Sequence, residues 1–217
     1  MFGKEPRYKA NEEDMKLVLH RFTGVILFQD PITKLIGKGT GILISQNLVL
    51  TVSHNIFNLK MGHEYVKILF FPGACGRLRK AYEIEQNFVP EEYKKQRRNN
   101  SVVNDYGLLK LKERIFGTDF IKLNEDISLV QKNTKIAIFG YPSSTYQQLS
   151  AENGNSFSVC QEGLIRDNAI VDILPDKFEV LHLMSTEGGM SGSAILAQRG
   201  DQWVVIGVHK GGKTLPY

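Results

Sequence analysis

The sequence predicts an all-β fold made of two antiparallel barrels, and three observations support this prediction. Short runs rich in β-branched and aromatic residues follow one another at close spacing along the 217 residues. Between these runs, the sequence lacks the amphipathic helices that would connect parallel strands, which favours an antiparallel sandwich or barrel. A mixed polar segment over 112–134 separates two strand-rich halves of similar size. We therefore expect an N-terminal extension at 1–21, a first barrel at 22–120 and a second barrel at 121–217.

Clusters of Gly, Pro, Asn and Asp separate the predicted strands and mark the turns between them. In the first half, the predicted strands are 22–29, 36–45, 48–52, 66–71 and 106–111. In the second half, they are 135–139, 156–166, 169–174, 178–184, 193–197 and 203–209. Helix is expected only in short segments, at 11–20 and in the turn after His54.

The charge balance argues against a nucleic-acid partner. The chain carries 27 Lys and Arg against 23 Asp and Glu, a formal net charge of +4, which is small for a surface that binds phosphates. Positive residues gather at Arg77, Arg79 and Lys80 and in the stretch 91–98, where acidic residues offset them. We predict that 91–98 is a solvated loop and that the chain binds no nucleic acid.

The amino-acid composition is that of a globular protein that folds without a metal or a disulfide. A hydrophobic fraction of 42% is ordinary for a globular chain, and a core of this size needs no metal or disulfide to fold. The two cysteines, Cys75 and Cys160, lie far apart and lack the CxxC or CxxH spacing of a zinc site. We interpret them as buried thiols, with one long-range disulfide as the alternative. No metal or cofactor is expected.

The beginning of the chain, MFGKEPRYKANEEDMK, carries charges of both signs and lacks the apolar stretch of a secretory signal. No later run approaches the ~18 apolar residues that a transmembrane helix needs. We therefore expect no membrane contact, and a cytoplasmic location if Met1 is the true start. We also expect the protein to be a monomer.

Three stretches place a reactive side chain at the edge of a predicted strand. They are LVLTVSH, which ends at His54, NDYGLL, which contains Asp105, and GGMSGS, which contains Ser191. A serine hydroxyl is a weak nucleophile near neutral pH and needs a neutral imidazole to take its proton. A buried carboxylate can orient that imidazole and stabilise its cationic form. We therefore predict that Ser191 is a nucleophile, His54 its general base and acid, and Asp105 the group that orients the histidine.

The glycines around Ser191 predict a tight turn. Glycine adopts backbone angles that are closed to other residues, so the N–H groups of such a turn can converge on one oxygen atom. We expect the N–H groups of Gly189 and Ser191 to form an oxyanion hole, the site that binds the negative oxygen formed during acyl transfer.

The order of these residues along the chain is informative. His, Asp, Ser is the chymotrypsin order, whereas subtilisins run Asp, His, Ser and α/β-hydrolases run Ser, Asp, His. The motifs LVLTVSH, FGYP, STEGGMSGSAIL and VIGVHKGG occur in this order. On these motifs the chain resembles the trypsin/chymotrypsin-like serine peptidases, and is most similar to their glutamyl endopeptidase branch. The resemblance covers 23–212 and implies two six-stranded barrels of the chymotrypsin type and a peptide or protein substrate.

The resemblance also implies a specificity pocket. His209 and Thr186 fall where the glutamyl-specific members bind the carboxylate of the substrate residue before the scissile bond. An imidazole and a hydroxyl can both donate hydrogen bonds to a carboxylate, which would otherwise be buried without a partner. We therefore expect cleavage after Glu, or after Asp.

The chain departs from the family pattern in two places. Met190 replaces the aspartate that precedes the serine in trypsin, so the activation switch that uses this aspartate is absent. The family usually continues beyond GVHKGG with a strand and a helix, whereas this sequence stops at Tyr217, so we expect an incomplete second barrel. A non-catalytic homologue that binds a peptide in its cleft is therefore the alternative function. His20, His63 and His182 have no motif context and are expected to be structural or surface residues.

Overall fold

The computed structural model describes residues 8–9, 22–73, 80–96, 103–116, 120–142, 163–174, 179–182, 186 and 188–211. The strands up to residue 111 are β1 (Tyr8–Lys9), β2 (Thr23–Gln29), β3 (Ile36–Ser45), β4 (Leu48–Thr51), β5 (Phe57–Asn58), β6 (His63–Glu64), β7 (Val66–Pro72), β8 (Tyr82–Phe88) and β9 (Gly107–Leu111). The later strands are β10 (Lys135–Gly140), β11 (Gly163–Leu174), β12 (Glu179–His182), β13 (Ala194–Arg199) and β14 (Gln202–Val208). One short helix, α1 (Glu91–Lys94), and 3₁₀ turns at Ser53–Asn55 and Ile127–Leu129 complete the described elements.

The first sheet closes into a barrel, as the sequence predicts. Its strands follow one another in the order β2, β3, β4, β9, β8 and β7, each antiparallel to its neighbours. Ile26, Ile42, Val49 and Leu109 are fully buried in its core. A Cβ atom at Gly41 would lie 2.6 Å from the Val49 side chain and 2.7 Å from that of Ile26. Glycine at this position therefore leaves room for these two side chains in the core of the barrel.

The second sheet is also antiparallel. Its path runs β1, β11, β10, β13 and β14, and β12 pairs with β11 as the sixth strand. Within the part of the chain that the structure describes, this sheet is open rather than closed into a second barrel. β1 belongs to the segment predicted as an N-terminal extension, and it pairs with β11 through Tyr8 opposite Leu164 and Lys9 opposite Gly163.

The two sheets share one apolar core. Phe70 and Leu109 from the barrel belong to the same buried cluster as Phe139, Leu196 and Val205 from the second sheet. Burial of this surface is the main favourable contribution to folding. Because the halves pack through a common cluster, the loops at their junction are held in fixed relative positions, and the candidate site lies among these loops.

Strand β8 is not predicted by the sequence pattern, because four of the seven residues of YEIEQNF are exposed and most of its side chains are polar. It nevertheless pairs with β7 and β9. Cross-strand ion pairs support it on the exposed side, from Lys112 to Glu83 at 2.5 Å and from Lys110 to Glu85 at 2.8 Å. The strand forms because its backbone completes the barrel, and not because its side chains are apolar.

The predicted strands 156–166 and 169–174 are corrected by the structure. Residues 163–174 form the single strand β11, while 156–162 lie outside the described residues. Pairing with β10 continues through the predicted gap, where Asn168 lies opposite Ile136 and Ala169 opposite Lys135. A polar pair of residues therefore does not end a strand whose backbone partners continue.

The predicted solvated loop at 91–98 is also corrected. Its first residues form α1, and Tyr93 in this helix is only 2% exposed. The Tyr93 ring packs edge-on against Phe57, with the ring centroids 6.5 Å apart. Burial raises the pKa of the Tyr93 hydroxyl well above its ordinary value. An aromatic residue inside a charged stretch is thus part of the core.

Several predictions fall outside the described residues. They concern the helix at 11–20, His20, Cys75, Cys160, Arg77, Arg79 and residues 97–98. The predicted short helix at His54 is confirmed by the 3₁₀ turn Ser53–Asn55. Among the residues that are described, no helix has both the length and the apolar character needed to cross a membrane.

Ser193 provides a stability prediction. It is fully buried, its hydroxyl has no hydrogen-bond partner among the residues that the structure describes, and a Cβ atom at Gly140 would lie 1.8 Å from that hydroxyl. Burying an unpaired hydroxyl costs free energy, so its removal is favourable. We expect Ser193→Ala to raise the free energy of unfolding by about 1 kcal/mol, measured by urea denaturation. A decrease of that size would mean that the hydroxyl is hydrogen-bonded in solution.

Candidate active site

His54 is placed by the turn that follows β4. The chain leaves the barrel at Thr51 and enters the 3₁₀ turn Ser53–Asn55, which is closed by the N–H of Ile56 donating to the Ser53 carbonyl at 2.8 Å. The Ser53 hydroxyl donates to the Tyr106 carbonyl at 2.6 Å and so joins the turn to the segment before β9. The side chain of His54 remains 35% exposed. The imidazole is therefore both fixed in place and accessible.

Asp105 contacts His54 at two points. Its Oδ2 atom lies 2.8 Å from Nδ1 of the imidazole, and its Oδ1 atom accepts the backbone N–H of His54 at 3.1 Å. The carboxylate side chain is only 6% exposed. Asn104, the residue before it, has a φ of 54°, a left-handed conformation that Asn tolerates better than most residues. With Asp105 ionised, Nδ1 carries the proton and donates, which leaves Nε2 as a proton acceptor.

The Ser191 turn is shaped by two glycines with positive φ, Gly189 at 87° and Gly192 at 89°. The N–H of Ser193 donates to the Met190 carbonyl at 3.0 Å, and the N–H of Gly192 donates to the His209 carbonyl at 2.8 Å. A Cβ atom at Gly192 would lie 2.0 Å from the Thr40 carbonyl oxygen. Only glycine fits there, because the turn packs directly on the barrel.

Two N–H groups of this turn are available to a ligand. Among the residues that the structure describes, the N–H groups of Gly189 and Ser191 donate to no acceptor. Gly189 is buried, and buried backbone N–H groups are almost always paired, so its unpaired donor is unusual; Ser191 is half-buried. An oxyanion hole requires such unpaired donors, and the assignment of this role to Gly189 and Ser191 stays a prediction.

The His54 turn and the Ser191 turn meet at Asn55. Its side-chain N–H donates to the Ser191 carbonyl at 2.9 Å. Within the described residues, no hydrogen bond joins the Ser191 hydroxyl to His54. Such contacts are often longer before substrate binds. The structure thus brings His54 and Asp105 into direct contact, and it brings the Ser191 backbone to the residue next to His54.

His209 lies behind the Ser191 turn, at the end of β14. It is 3% exposed, and its N–H donates to the Ser193 carbonyl at 2.9 Å. Its Nδ1 atom lies 3.3 Å from Nε2 of His182. Burial, assisted by the neighbouring His182 and His54, lowers the pKa of His209 to about 4. Burial also lowers the pKa of His182. Thr186, the other predicted pocket residue, is half-buried.

The buried His209 predicts a pH dependence of stability. An unfolded histidine has a pKa of about 6.5, whereas the pKa of His209 in the folded protein is about 4. Between these two pH values the unfolded chain is protonated at this residue and the folded protein is not. Neutral His209 therefore contributes stability that is complete above pH 6.5 and is lost as the pH falls to 4. We expect this contribution to be about 3 kcal/mol. In urea unfolding at several pH values, His209→Gln should lose less stability than wild type over this range, and equal losses would contradict the prediction.

A second His–Asp pair lies elsewhere on the barrel. Nε2 of His63 lies 3.0 Å from Oδ2 of Asp30, and Oδ1 of Asp30 accepts the N–H groups of Ile32 and Thr33 at 2.9 and 2.8 Å. The N–H of Thr33, followed by His63 and Ile32, holds the pKa of Asp30 well below its usual range. These contacts join the β2–β3 turn to the β5–β6 hairpin, so this pair has a structural role.

The side chain of Met190 is fully buried in an apolar cluster with Ile136, Ile138, Ile170 and Ile195. At the position before Ser191, the side chain therefore serves packing. No group of three or more His, Cys, Asp or Glu side chains in the described part of the chain has a metal-binding arrangement.

Comparison with known proteins agrees with this architecture. A closed antiparallel barrel that carries the histidine, packed on a second antiparallel sheet that carries the serine turn, defines the chymotrypsin-like class of fold. Residues 39–208 match the family model of the trypsin-like peptidase domain. This range includes His54, Asp105 and Ser191 and most of the chain. The chain therefore belongs to the trypsin-like peptidase family. No curated protein matches the sequence significantly.

Solved structures show the same fold. A Glu endopeptidase in complex with MPD superposes with a TM-score of 0.74 at 20% identity, and the match covers 98% of this chain and 88% of that one. A thermostable serine protease, AL20, from an extremophilic microorganism superposes with a TM-score of 0.64 at 13% identity, covering 91% and 88%. At such identities the likeness establishes the fold, including the chymotrypsin-like arrangement that the sequence predicts.

Proposed function

We propose that the protein is a serine endopeptidase. The observation that carries the proposal is the two-point contact between Asp105 and His54, in which both carboxylate oxygens hold one histidine. This contact leaves Nε2 as a base on the accessible side of a partly exposed imidazole. The Ser191 turn, joined to the same segment through Asn55, supplies a hydroxyl and two unpaired N–H donors.

These groups provide each step of acyl transfer. The Ser191 hydroxyl attacks the scissile carbonyl while His54 Nε2 takes its proton, and the N–H groups of Gly189 and Ser191 stabilise the oxyanion. Asp105 stabilises the imidazolium that forms. His54 then gives the proton to the leaving amine, the C–N bond breaks and an ester to Ser191 remains. His54 then takes a proton from a water molecule, whose oxygen bonds to the acyl carbon. The ester C–O bond breaks, and His54 returns the proton to the Ser191 oxygen, which releases the peptide acid and restores the serine hydroxyl.

The alternative is a non-catalytic homologue that holds a peptide in the same cleft. The absence of a Ser191–His54 hydrogen bond among the described residues favours it. Labelling with a serine-reactive fluorophosphonate distinguishes the two, because it requires the nucleophile, base and oxyanion hole but no particular substrate. We expect the folded protein to be labelled covalently, with one label per chain. A folded sample that stays unlabelled would support the alternative.

We further propose that the enzyme cleaves after Glu, or after Asp. The buried His209 and the half-buried Thr186 can donate hydrogen bonds to a substrate carboxylate, and the half-buried His182 lies 3.3 Å from His209. His209 is neutral at pH 7 because its pKa lies at about 4. If His182 donates to Nδ1 of His209, the proton of His209 is on Nε2, where it can donate to the substrate. The fold shared with a Glu endopeptidase adds support.

A panel of peptides that differ only before the scissile bond tests this specificity. We expect kcat/KM for Glu to exceed that for Ala or Lys by about a hundredfold or more, because a site built for hydrogen bonds is left unpaired by the other residues. The Glu to Gln ratio should fall toward one in His209→Gln, with fluorophosphonate labelling retained. Equal cleavage after Ala, Lys and Glu would exclude the proposed specificity but leave the peptidase proposal intact.

A further inference from the structure

The Ser191 turn rests on a buried polar cluster of the barrel, formed by Thr40, Thr51 and Asn55. All three are at most 1% exposed. The Thr51 hydroxyl donates to the Thr40 carbonyl at 2.8 Å and accepts a side-chain N–H of Asn55 at 3.0 Å. Burying a polar side chain costs free energy unless its donors and acceptors are hydrogen-bonded, so the partners of a buried polar cluster are informative. Here the remaining donors of the cluster point to the turn.

Three donors of this cluster hold two carbonyls of the turn. The Thr40 hydroxyl donates to the Gly189 carbonyl at 2.8 Å. The backbone N–H of Thr40 and the side-chain N–H of Asn55 both donate to the Ser191 carbonyl, at 2.8 and 2.9 Å. The Thr40 hydroxyl also accepts the N–H of Tyr141 at 3.1 Å, which fixes the direction in which it donates.

These contacts restrain the peptide units next to those that carry the unpaired N–H groups. In a trans peptide unit the carbonyl of one residue and the N–H of the next point in opposite directions, so the hydrogen bonds fix the units 189–190 and 191–192. The N–H groups of Gly189 and Ser191 belong to the adjoining units, and their directions follow from the fixed units through the backbone rotations at these two residues. Gly188 and Gly189 are consecutive, and glycine restricts the backbone angles less than any other residue. A hydrogen bond at Gly189 therefore restrains the backbone at the point of the turn where the sequence restrains it least.

We propose that Thr40 and Asn55 are positioning residues for the oxyanion hole. The inference rests on the proposed peptidase function. Neither side chain contacts the substrate; each holds the turn so that the N–H groups of Gly189 and Ser191 stay directed at the substrate carbonyl. Because these donors stabilise charge that develops in the transition state, their misalignment lowers kcat more than it raises KM.

The decisive variant is Thr40→Val, which removes the hydroxyl and preserves the shape of the side chain. We expect kcat for a Glu-containing peptide to fall roughly tenfold to hundredfold, with KM changed by less than about threefold. Asn55→Leu should act in the same direction. Thr40→Ser, which retains the hydroxyl, should keep kcat near the wild-type value. Thr23→Val is the matched control, because Thr23 is a buried threonine on the neighbouring strand β2 whose side chain makes no contact with the turn in the described residues.

A second measurement reports on the turn without requiring activity. In protein labelled with ¹⁵N at its 20 glycines, Thr40→Val should shift the amide resonances of Gly189 and Gly192, whereas Thr40→Ser and Thr23→Val should leave them in place. If the wild-type protein is active, three results would overturn the proposal. The Gly189 and Gly192 resonances could stay unchanged in Thr40→Val, Thr40→Val could change KM alone, or Thr23→Val could lose as much kcat as Thr40→Val. If wild type proves inactive, the proposed function fails, and the resonances alone decide whether Thr40 positions the turn.

Discussion

Replacing Ser191 by alanine is expected to remove fluorophosphonate labelling completely and to lower kcat for peptide hydrolysis by roughly six orders of magnitude. In the proposed mechanism the Ser191 hydroxyl forms the covalent bond to the substrate, so no acyl-enzyme is expected without it. Some acceleration over water should remain, because the N–H groups of Gly189 and Ser191 still bind the oxyanion. Steady-state hydrolysis of a Glu-containing peptide measures the loss.

Ser193→Ala is the matched control for this variant. Ser193 lies two residues away in the same motif, but its hydroxyl is buried and has no hydrogen-bond partner in the described part of the chain. It should keep its labelling and its kcat while gaining stability. Labelling of Ser191→Ala at the wild-type rate would place the reactive nucleophile at another residue and contradict the proposed mechanism.

The first barrel was predictable because most of its strands carry their own signal. β2, β3 and β4 are apolar runs bounded by turn residues, and their observed bounds differ from the predicted ones by at most one residue. β8 carries no such signal, because four of its seven residues are exposed, and it forms by pairing with β7 and β9. Sheet formation depends on backbone partners that are distant in sequence, and a local pattern contains no information about them.

The residues of the candidate site also form two groups: those that sequence motifs predict and those that are recognised only in the folded structure. His54, Asp105 and Ser191 stand in short motifs whose order along the chain is itself informative. Thr40 and Asn55 stand in no motif, and their role depends on hydrogen bonds to residues 149 and 136 positions away. His182 likewise appears beside His209 only after β12 and β14 are placed in space. Residue type and spacing therefore select the candidate reacting groups, whereas the residues proposed to position them are found only from the fold.

Replacing Asp105 by asparagine should lower kcat by roughly four orders of magnitude near neutral pH. The side-chain amide is nearly the same size as the carboxylate, but at the position of Oδ2 it can present an N–H that donates to His54 Nδ1. The imidazole then carries its proton on Nε2, and this nitrogen is unable to accept the proton of Ser191. The variant also loses the negative charge that stabilises the imidazolium. Hydrolysis of a Glu-containing peptide, compared with wild type across pH 6 to 8, measures the effect.

The second His–Asp pair supplies the control for Asp105→Asn. Asp30→Asn makes the same chemical change in a carboxylate that contacts His63 at 3.0 Å and supports only the β2–β3 turn and the β5–β6 hairpin. It should cost stability and leave kcat near the wild-type value. The two aspartates thus separate the effect of losing a buried carboxylate from the effect of changing the histidine tautomer. If both variants lowered kcat equally, Asp105 would act through folding alone; if only Asp105→Asn did so, with slow labelling of Ser191 remaining, the carboxylate acts by orienting His54.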